Sequence, residues 1–551
     1  MTGAPAMQDE KAAVRSTVFN HLAGMAMAPT VRALTERGAL DLLRDAPRWV
    51  ALDDLAERTR ANRGYLHVAL RLLASSGWMV QHVDQPRRVT SYTLTDAGRI
   101  ALDLAPRAYA DAVAFLPRAI AFEDYMFGAS DEPLVPALGE LVLRARDRWG
   151  LGGGGADAEV REQIAGHLDG VIVGPAMVAL ARAGILSLLA RGPADIRTLP
   201  GNQGSLQLVF DLLQFLGWAM RDGQHVALTP GGEYAAQIAP AYGVTVSYLP
   251  MFSMLPTLLF GNAHIPRVDD HGFEVLVNRG MNVWGSGGAH KTYFRKVDEI
   301  VEEIFNRPLH LQPRGICDMG CGDGTFLEHL YGVVKARTLR GRLLDREPLV
   351  MIGADFNKVA RRVTKQTLRK AGIPTFHVIH GDILRPAQLA GDLEKLNIDS
   401  HDLLHIRSFL DHNRPFAKLS DYAPGTRQAR TTGAFAYLGD DIPADVLEEN
   451  LVRHLRRWAP YIGRFGLLVL ELHTLPPDVA AANRGRTPAV AYDATHGYSD
   501  QYLVEVPVFL ECAREAGLQP DPRFAGRFPP SDLATVTLNF FTRAQDRRDL
   551  E

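Results

Sequence analysis

Cysteine is scarce in this chain: three among 551 residues, Cys317, Cys321 and Cys512, with no Cys-x-x-Cys pair. That excludes a disulfide framework and fits a reduced, cytoplasmic setting. Charge of one sign is lacking too, the net being −3, so there is no global drive toward nucleic acid or anionic membranes. The N-terminus has no apolar signal core, and no run of about 18 apolar residues suggests a membrane span. With 46% apolar and 22% charged residues the composition is that of an ordinary globular protein. Its length exceeds what one core fills, and two to four domains are expected.

What is present begins with Gly315-Ile-Cys-Asp-Met-Gly-Cys-Gly-Asp-Gly-Thr-Phe326. Ile316 and Cys317 read as the end of a buried strand. Asp318 opens a turn holding Gly320, Gly322 and Gly324, and helical spacing follows from Phe326. Such a turn lets a ligand approach the backbone and meet free helix N–H groups. Further strands end in acids: Leu349 to Asp355, whose carboxylate can accept ribose hydroxyls, and Val378 to Ile383, which carries Asp382. Asp402–Ser408, Gly466–Leu472 and Thr535–Phe541 complete a doubly wound α/β pattern. Each acid alone is more often a turn or helix cap; three in order, each after an apolar strand, are not. Asp-x-Gly-x-Gly-x-Gly resembles motif I of the class I S-adenosylmethionine methyltransferases. That resemblance implies a Rossmann-like core binding S-adenosylmethionine through Asp318, Gly320, Gly322, Gly324 and Asp355, with Asp382 and Ile383 at the adenine.

Upstream lies an internal repeat. Gly38-Ala-Leu-Asp-Leu-Leu43 returns as Gly184-Ile-Leu-Ser-Leu-Leu189, Leu72-Leu-Ala-Ser-Ser-Gly-Trp78 as Leu212-Leu-Gln-Phe-Leu-Gly-Trp218, and Tyr92-Thr-Leu-Thr-Asp-Ala-Gly98 as Val226-Ala-Leu-Thr-Pro-Gly-Gly232, at offsets of 146, 140 and 134. Each copy reads as two short helices, a longer amphipathic helix, Gly-Trp and a hairpin, which is a winged-helix pattern. The run Gly152 to Gly155 is the expected linker. DNA binding needs Lys or Arg on the third helix. Copy one offers only Arg63, His67 and Arg71 there and copy two no basic residue, so no nucleic-acid partner is expected. The pair resembles the N-terminal dimerisation or lid region of small-molecule O-methyltransferases, which leaves a homodimer open.

Between repeat and motif, Met281 to Phe294 is glycine-rich; Gly285 to Ala289 looks unsuited to a helix interior. It reads either as a flexible connection or as a lid (residues 279–305) presenting Ser286 or His290 to the cofactor. Ligands of an open parallel sheet sit beyond the C-terminal strand ends, so His405 to Arg414, Glu471 to Leu475 and Asp493 to Tyr502 should face the methyl acceptor. His412, His496 and Gln501, with Asp411 nearby, supply N and O donors suited to Fe²⁺, Mn²⁺ or Zn²⁺. A histidine at a strand end is equally a hydrogen-bonding residue or a general base, and His473 is a candidate base. Residues 335–370 hold eleven Lys/Arg against three acids, a solvated helix pair or a docking face for an acidic carrier.

Asn282 to His290, Ser408-Phe-Leu-Asp-His-Asn-Arg414, Gly433-Ala-Phe-Ala-Tyr437 and His496-Gly-Tyr-Ser-Asp-Gln501 resemble the metal-dependent C-methyltransferase domains that start some polyketide synthases, the apratoxin type. The resemblance runs from about Val275 to the C-terminus. It implies methylation of a malonyl unit on an acyl carrier protein, with iron or manganese on His412, His496 and Gln501; the expected catalytic residues are His412, His473 and His496. No carrier, acyltransferase or ketosynthase region is visible, so a small-molecule acceptor, methylated on oxygen or nitrogen without metal, stays open, as does a non-catalytic scaffold. The expected layout is a winged-helix repeat with helical extension at 1–150, a second at 151–270 and a methyltransferase domain at 271–551.

Overall fold

Both copies of the repeat fold as their spacing predicts in the computed structural model, which describes residues 3–46, 48–84, 89–128, 134–270, 274–288 and 290–543. Copy one follows helix α1 (Gly3–Glu36) and contains α2 (Arg63–Ser75) and a hairpin, Met79–Asp84 with Val89–Leu94, completed by Val50–Ala51. Helix α3 (Leu134–Arg146) leads on to α4 (Ala158–Arg182) and to copy two, with α5 (Gln203–Phe215) and the hairpin Ala219–Asp222 with His225–Leu228, completed by Ala194–Asp195.

The repeated Leu-Thr and Gly-Trp have a local cause. Thr95 Oγ1 donates to Gly77 O at 2.8 Å and accepts from Gly98 N at 2.9 Å, capping the next helix. Thr229 does the same with Gly217 O and Gly232 N, at 2.7 and 3.0 Å. A Cβ at Gly98 would stand 1.8 Å from Trp78 O, and one at Gly232 1.7 Å from Trp218 O, so neither position admits a side chain. Gly98→Ala and Gly232→Ala should each cost roughly 2–3 kcal/mol of stability, equal within error, as read by chemical denaturation.

All three basic side chains of α2 are spent on acids of the same unit: Arg63 on Asp53 and Asp441, His67 on Asp441 at 2.7 Å, Arg71 on Asp493 at 3.1 Å. Against the expectation of no apolar run of that length, helix α4 is long and apolar enough to cross a membrane by length and composition, and 94% of its apolar window is buried in the fold. Helix α6 (Arg279–Gly287) corrects the view of Gly285 as unsuited to a helix. A Cβ there would lie 2.6 Å from Val244 N, so glycine is what lets two helices touch; packing overrides propensity.

The chain forms two units: Met1–His290, Ala434–Ile442 and Pro476–Asp500, then Lys291–Gly433, Pro443–Leu475 and Gln501–Glu551. By sequence Ala434–Ile442 and Pro476–Asp500 lie inside 271–551; in space they join the first unit. Asp441 and Asp493 meet the bases of α2, and Asp500 receives the Tyr65 hydroxyl at 2.7 Å and Arg267.

In the second unit, α7 (His290–Phe305) precedes a mixed sheet. Its strands are β1 (Gly315–Met319), β2 (Val350–Asp355), β3 (Phe376–His380), β4 (Leu403–Ser408), β5 (Leu467–Leu472), β6 (Leu518–Pro520), β7 (Gly526–Phe528) and β8 (Val536–Arg543). The order is β6-β8-β5-β4-β1-β2-β3, with β7 paired to β8. β1 to β5 run parallel where they pair, and β8 is antiparallel to its neighbours. Helices α8 (Thr325–Arg337), α9 (Lys358–Lys370) and α10 (Ala444–Trp458) follow β1, β2 and β4. Every residue of β1 is buried, so its carboxyl end is fixed by the sheet itself.

Candidate active site

Parallel register brings Asp318, Asp355 and Asp382 to adjoining strand ends: Asp318 pairs with Gly353, and Asp355 with His380, two residues before Asp382. The turn after β1 needs its glycines. Gly320, Gly322 and Gly324 have φ of 83°, 55° and 81°, a region L side chains avoid, and Gly324 caps α8. The turn is laced to β2, with Gly320 N donating to Ala354 O at 2.7 Å and Gly322 N to Asp355 Oδ2 at 3.1 Å. Asp355 Oδ1 accepts from Asn357 N at 2.7 Å, and Asp382 Oδ1 from Leu384 N at 2.9 Å. Ile383 is buried, its carbonyl taking the Trp458 indole N–H at 2.7 Å.

Asp318 is the unusual member. Its side chain is buried, and among the described residues Oδ1 has no hydrogen-bond partner. Burial, with Asp355 adding repulsion, raises its carboxyl to about 7. A buried carboxylate beside a second acid suits a ligand with a cationic centre, such as a sulfonium or ammonium. The residue after Asp355 went unnoticed in sequence: Phe356 is 72% exposed, its ring 5.4 Å from that of His380, an apolar face beside Asp355. An aromatic directly after a strand-ending acid was the available signal.

Beyond β4 and β5 a second arrangement forms. Glu471, 1% exposed at the end of β5, accepts from Asp411 N at 2.8 Å, His412 N at 3.2 Å, Leu472 N at 2.7 Å and His412 Nδ1. Glu471 accepts only, so Nδ1 of His412 carries the proton of that bond. Asp411 is held by His454 Nε2 at 2.8 Å and by Arg407 at 3.3 Å; Arg407 lies over Trp458, 4.8 Å from its ring centre. Burial acts to raise Asp411, yet Arg407 and His454 outweigh it and draw its carboxyl down to about 2. Asp411 is thus an anchor for the loop that carries His412. A buried acid closing the apolar run of β5 was the sequence signal for Glu471.

His473 is corrected as a base. It is wholly buried, with Nδ1 donating to Val504 O at 3.1 Å and Nε2 bonded to Thr537 Oγ1 at 2.7 Å, and burial lowers it to about 4. Both nitrogens serve the fold. His496 sits in helix Ala489–Gly497 of the first unit, its Nδ1 2.8 Å from Tyr492 O. His412 and Gln501, each nearly buried, belong to the second unit. Ser286 belongs to the first unit, where its hydroxyl donates to Val283 O at 3.1 Å. The side chain of His290 lies outside the described residues. Among the described residues, no group of three or more His, Cys, Asp or Glu could hold a metal ion.

A glycine turn after β1 and acids on three neighbouring strands define a class I, S-adenosylmethionine-dependent methyltransferase. Residues 274–539 match the model of the AprA MT2-like domain, residues 14–81 that of the AprA N-terminal domain and residues 169–262 that of the AprA winged helix domain; the chain is a methyltransferase of this AprA-like kind. Among solved structures, the mitomycin 7-O-methyltransferase MmcR is 14% identical, covers 71% of this chain and 99% of its own, and has a TM-score of 0.41. An O-methyltransferase family protein from Burkholderia thailandensis is 12% identical over 67% of this chain and 94% of its own, with a TM-score of 0.39. Human N-acetylserotonin methyltransferase in complex with SAM is 12% identical over 71% and 99%, with a TM-score of 0.38. A search of curated proteins finds no match.

Proposed function

We propose that this methyltransferase acts on carbon, methylating a malonyl-type acyl group on an acyl carrier protein, with Fe²⁺ or Mn²⁺ held through His412 and Gln501 of the second unit. The match to the AprA MT2-like domain supports the reaction class, and the hold of Glu471 on His412 carries the metal reading. His412 commits Nδ1 to Glu471, so a carboxylate fixes the orientation of its ring. Metal-binding histidines use this arrangement, and an imidazole with an amide oxygen suits a divalent ion with open positions. When bound, the ion would act as a Lewis acid toward the enolate of a 1,3-dicarbonyl. The protein's own part is positional: the glycine turn and its acids hold the methyl donor, and Glu471 sets the His412 ring. Lys358, Arg362 and Lys365, exposed on α9, offer an acidic carrier a docking face.

The same pair also supports a second reading. A carboxylate behind an imidazole suits a general base, so His412 could serve O- or N-methylation of a free natural product without metal. Elemental analysis of the purified protein, paired with mass spectrometry of a malonyl carrier incubated with S-adenosylmethionine, separates the two. The proposal expects stoichiometric iron or manganese and a methyl on the acyl carbon. Full turnover of chelator-stripped protein, or transfer only to oxygen or nitrogen, contradicts it.

A further inference from the structure

Helices α1 and α4 belong to the repeat as well. His21, Gly24 and Pro29 of α1 recur as His167, Gly170 and Pro175 of α4, at the offset of 146 that relates Gly38 to Gly184. The helices cross through these residues reciprocally. A Cβ on Gly24 would stand 2.2 Å from the His167 backbone, and one on Gly170 would stand 2.3 Å from His21 O. Each histidine then reaches into the other copy. His21 Nδ1 lies 2.7 Å from the Tyr242 hydroxyl and its ring 6.0 Å from Trp218, both on the side of copy two. His167 Nδ1 lies 2.6 Å from the Tyr109 hydroxyl and its ring 6.2 Å from Trp78, both on the side of copy one. Burial lowers both imidazoles to about 3, so each is a neutral hydrogen-bonding group in the core.

When residue i meets j and the counterpart of i meets the counterpart of j, the contact is isologous, the geometry of a twofold dimer. Here the leading helices are also exchanged: α1 precedes copy one and packs on the aromatic pair of copy two, while α4 does the converse. We infer that the first unit is an exchanged twofold pair built into one chain, in which copy two occupies the surface that a second molecule would otherwise fill. The crossing is dry, with Leu22, Met25 and Ala26 of α1 and Leu168, Val171 and Ile172 of α4 at most 1% exposed.

The symmetry breaks at one position. Gly64, at the start of α2, faces Asp440 O, which a Cβ would approach to 2.5 Å; its counterpart Gly204, at the start of α5, faces Val135 of α3 at 3.0 Å. Segment Ala434–Ile442 therefore docks on copy one, and α3 fills the matching place on copy two. The pair has one seat for a returning segment, hence one catalytic unit per chain and no need of a second subunit.

Sedimentation equilibrium of the full chain across micromolar concentrations should give one mass of 60.5 kDa; a two-chain mass overturns the inference. A second test needs no destabilising variant. A protease site placed at Gly153 and Gly154, exposed and with no described atom within 4 Å of an added Cβ, allows the folded protein to be cut between the copies. The two pieces should stay together as one particle on gel filtration, because the interface and not the linker joins them. Pieces that separate after cutting overturn it.

Discussion

Asp318→Asn should lower affinity for S-adenosylmethionine at least tenfold while making the ligand-free protein more heat-stable at neutral pH. Both effects follow from a buried carboxyl raised to about 7 by desolvation and by Asp355. The unfolded chain releases this proton near the ordinary value of 3.8. Between those values the folded protein holds a proton that the unfolded one has lost, so ligand-free stability falls as pH rises through the window and levels off above it. The gap is equivalent to roughly 4 kcal/mol, a few degrees of melting temperature in a chain this long. Asparagine removes that slope. It also removes the charge that opposes the cationic donor, so wild-type affinity should climb with pH to about 7 while the variant stays flat. Calorimetric titration and thermal melts across pH read both quantities. Unchanged affinity would remove Asp318 from the site.

Glu471→Gln should lower turnover by roughly 10- to 100-fold, the usual cost of losing a carboxylate partner behind a working histidine, and leave S-adenosylmethionine affinity within about twofold. Glutamine keeps the shape but accepts at only one terminal atom, whereas Glu471 serves three backbone N–H groups and the His412 ring with two oxygens. His412→Ala should abolish turnover with the same unchanged donor binding. Steady-state kinetics beside calorimetric titration provide the split; a loss of donor affinity equal to the loss of turnover would make Glu471 a fold residue only.

The glycine turn and the acid-bearing strand ends were legible because their signals are local. Gly320 to Gly324, Asp355 and Asp382 each follow an apolar strand, and strand ends carry their position with them. The winged helices were legible for the same reason, as Thr95 and Thr229 cap the helix that immediately follows. The acceptor side was not. His473 and His412 look alike in sequence, and what separates them is Thr537 and Val504 for one and Glu471 for the other. Gly285 looked like a helix breaker until Val244 gave the reason for a missing side chain. Ion pairs from half-buried Arg63 to Asp441 and from buried Arg71 to Asp493 draw two segments of the C-terminal half into the first unit, and no window of sequence contains both partners. Phe356 was passed over because an exposed aromatic has no periodicity to announce it.

The central claim is that the strand ends of β1, β2 and β3 hold the methyl donor. A crystal structure with S-adenosylhomocysteine tests it most directly. The ribose hydroxyls should lie on Asp355, the adenine beside Asp382 and Ile383, and the amino-acid moiety over the turn from Gly320 to Gly324, close to Asp318. Density for the nucleoside anywhere else, with that turn bare at saturating ligand, would contradict it.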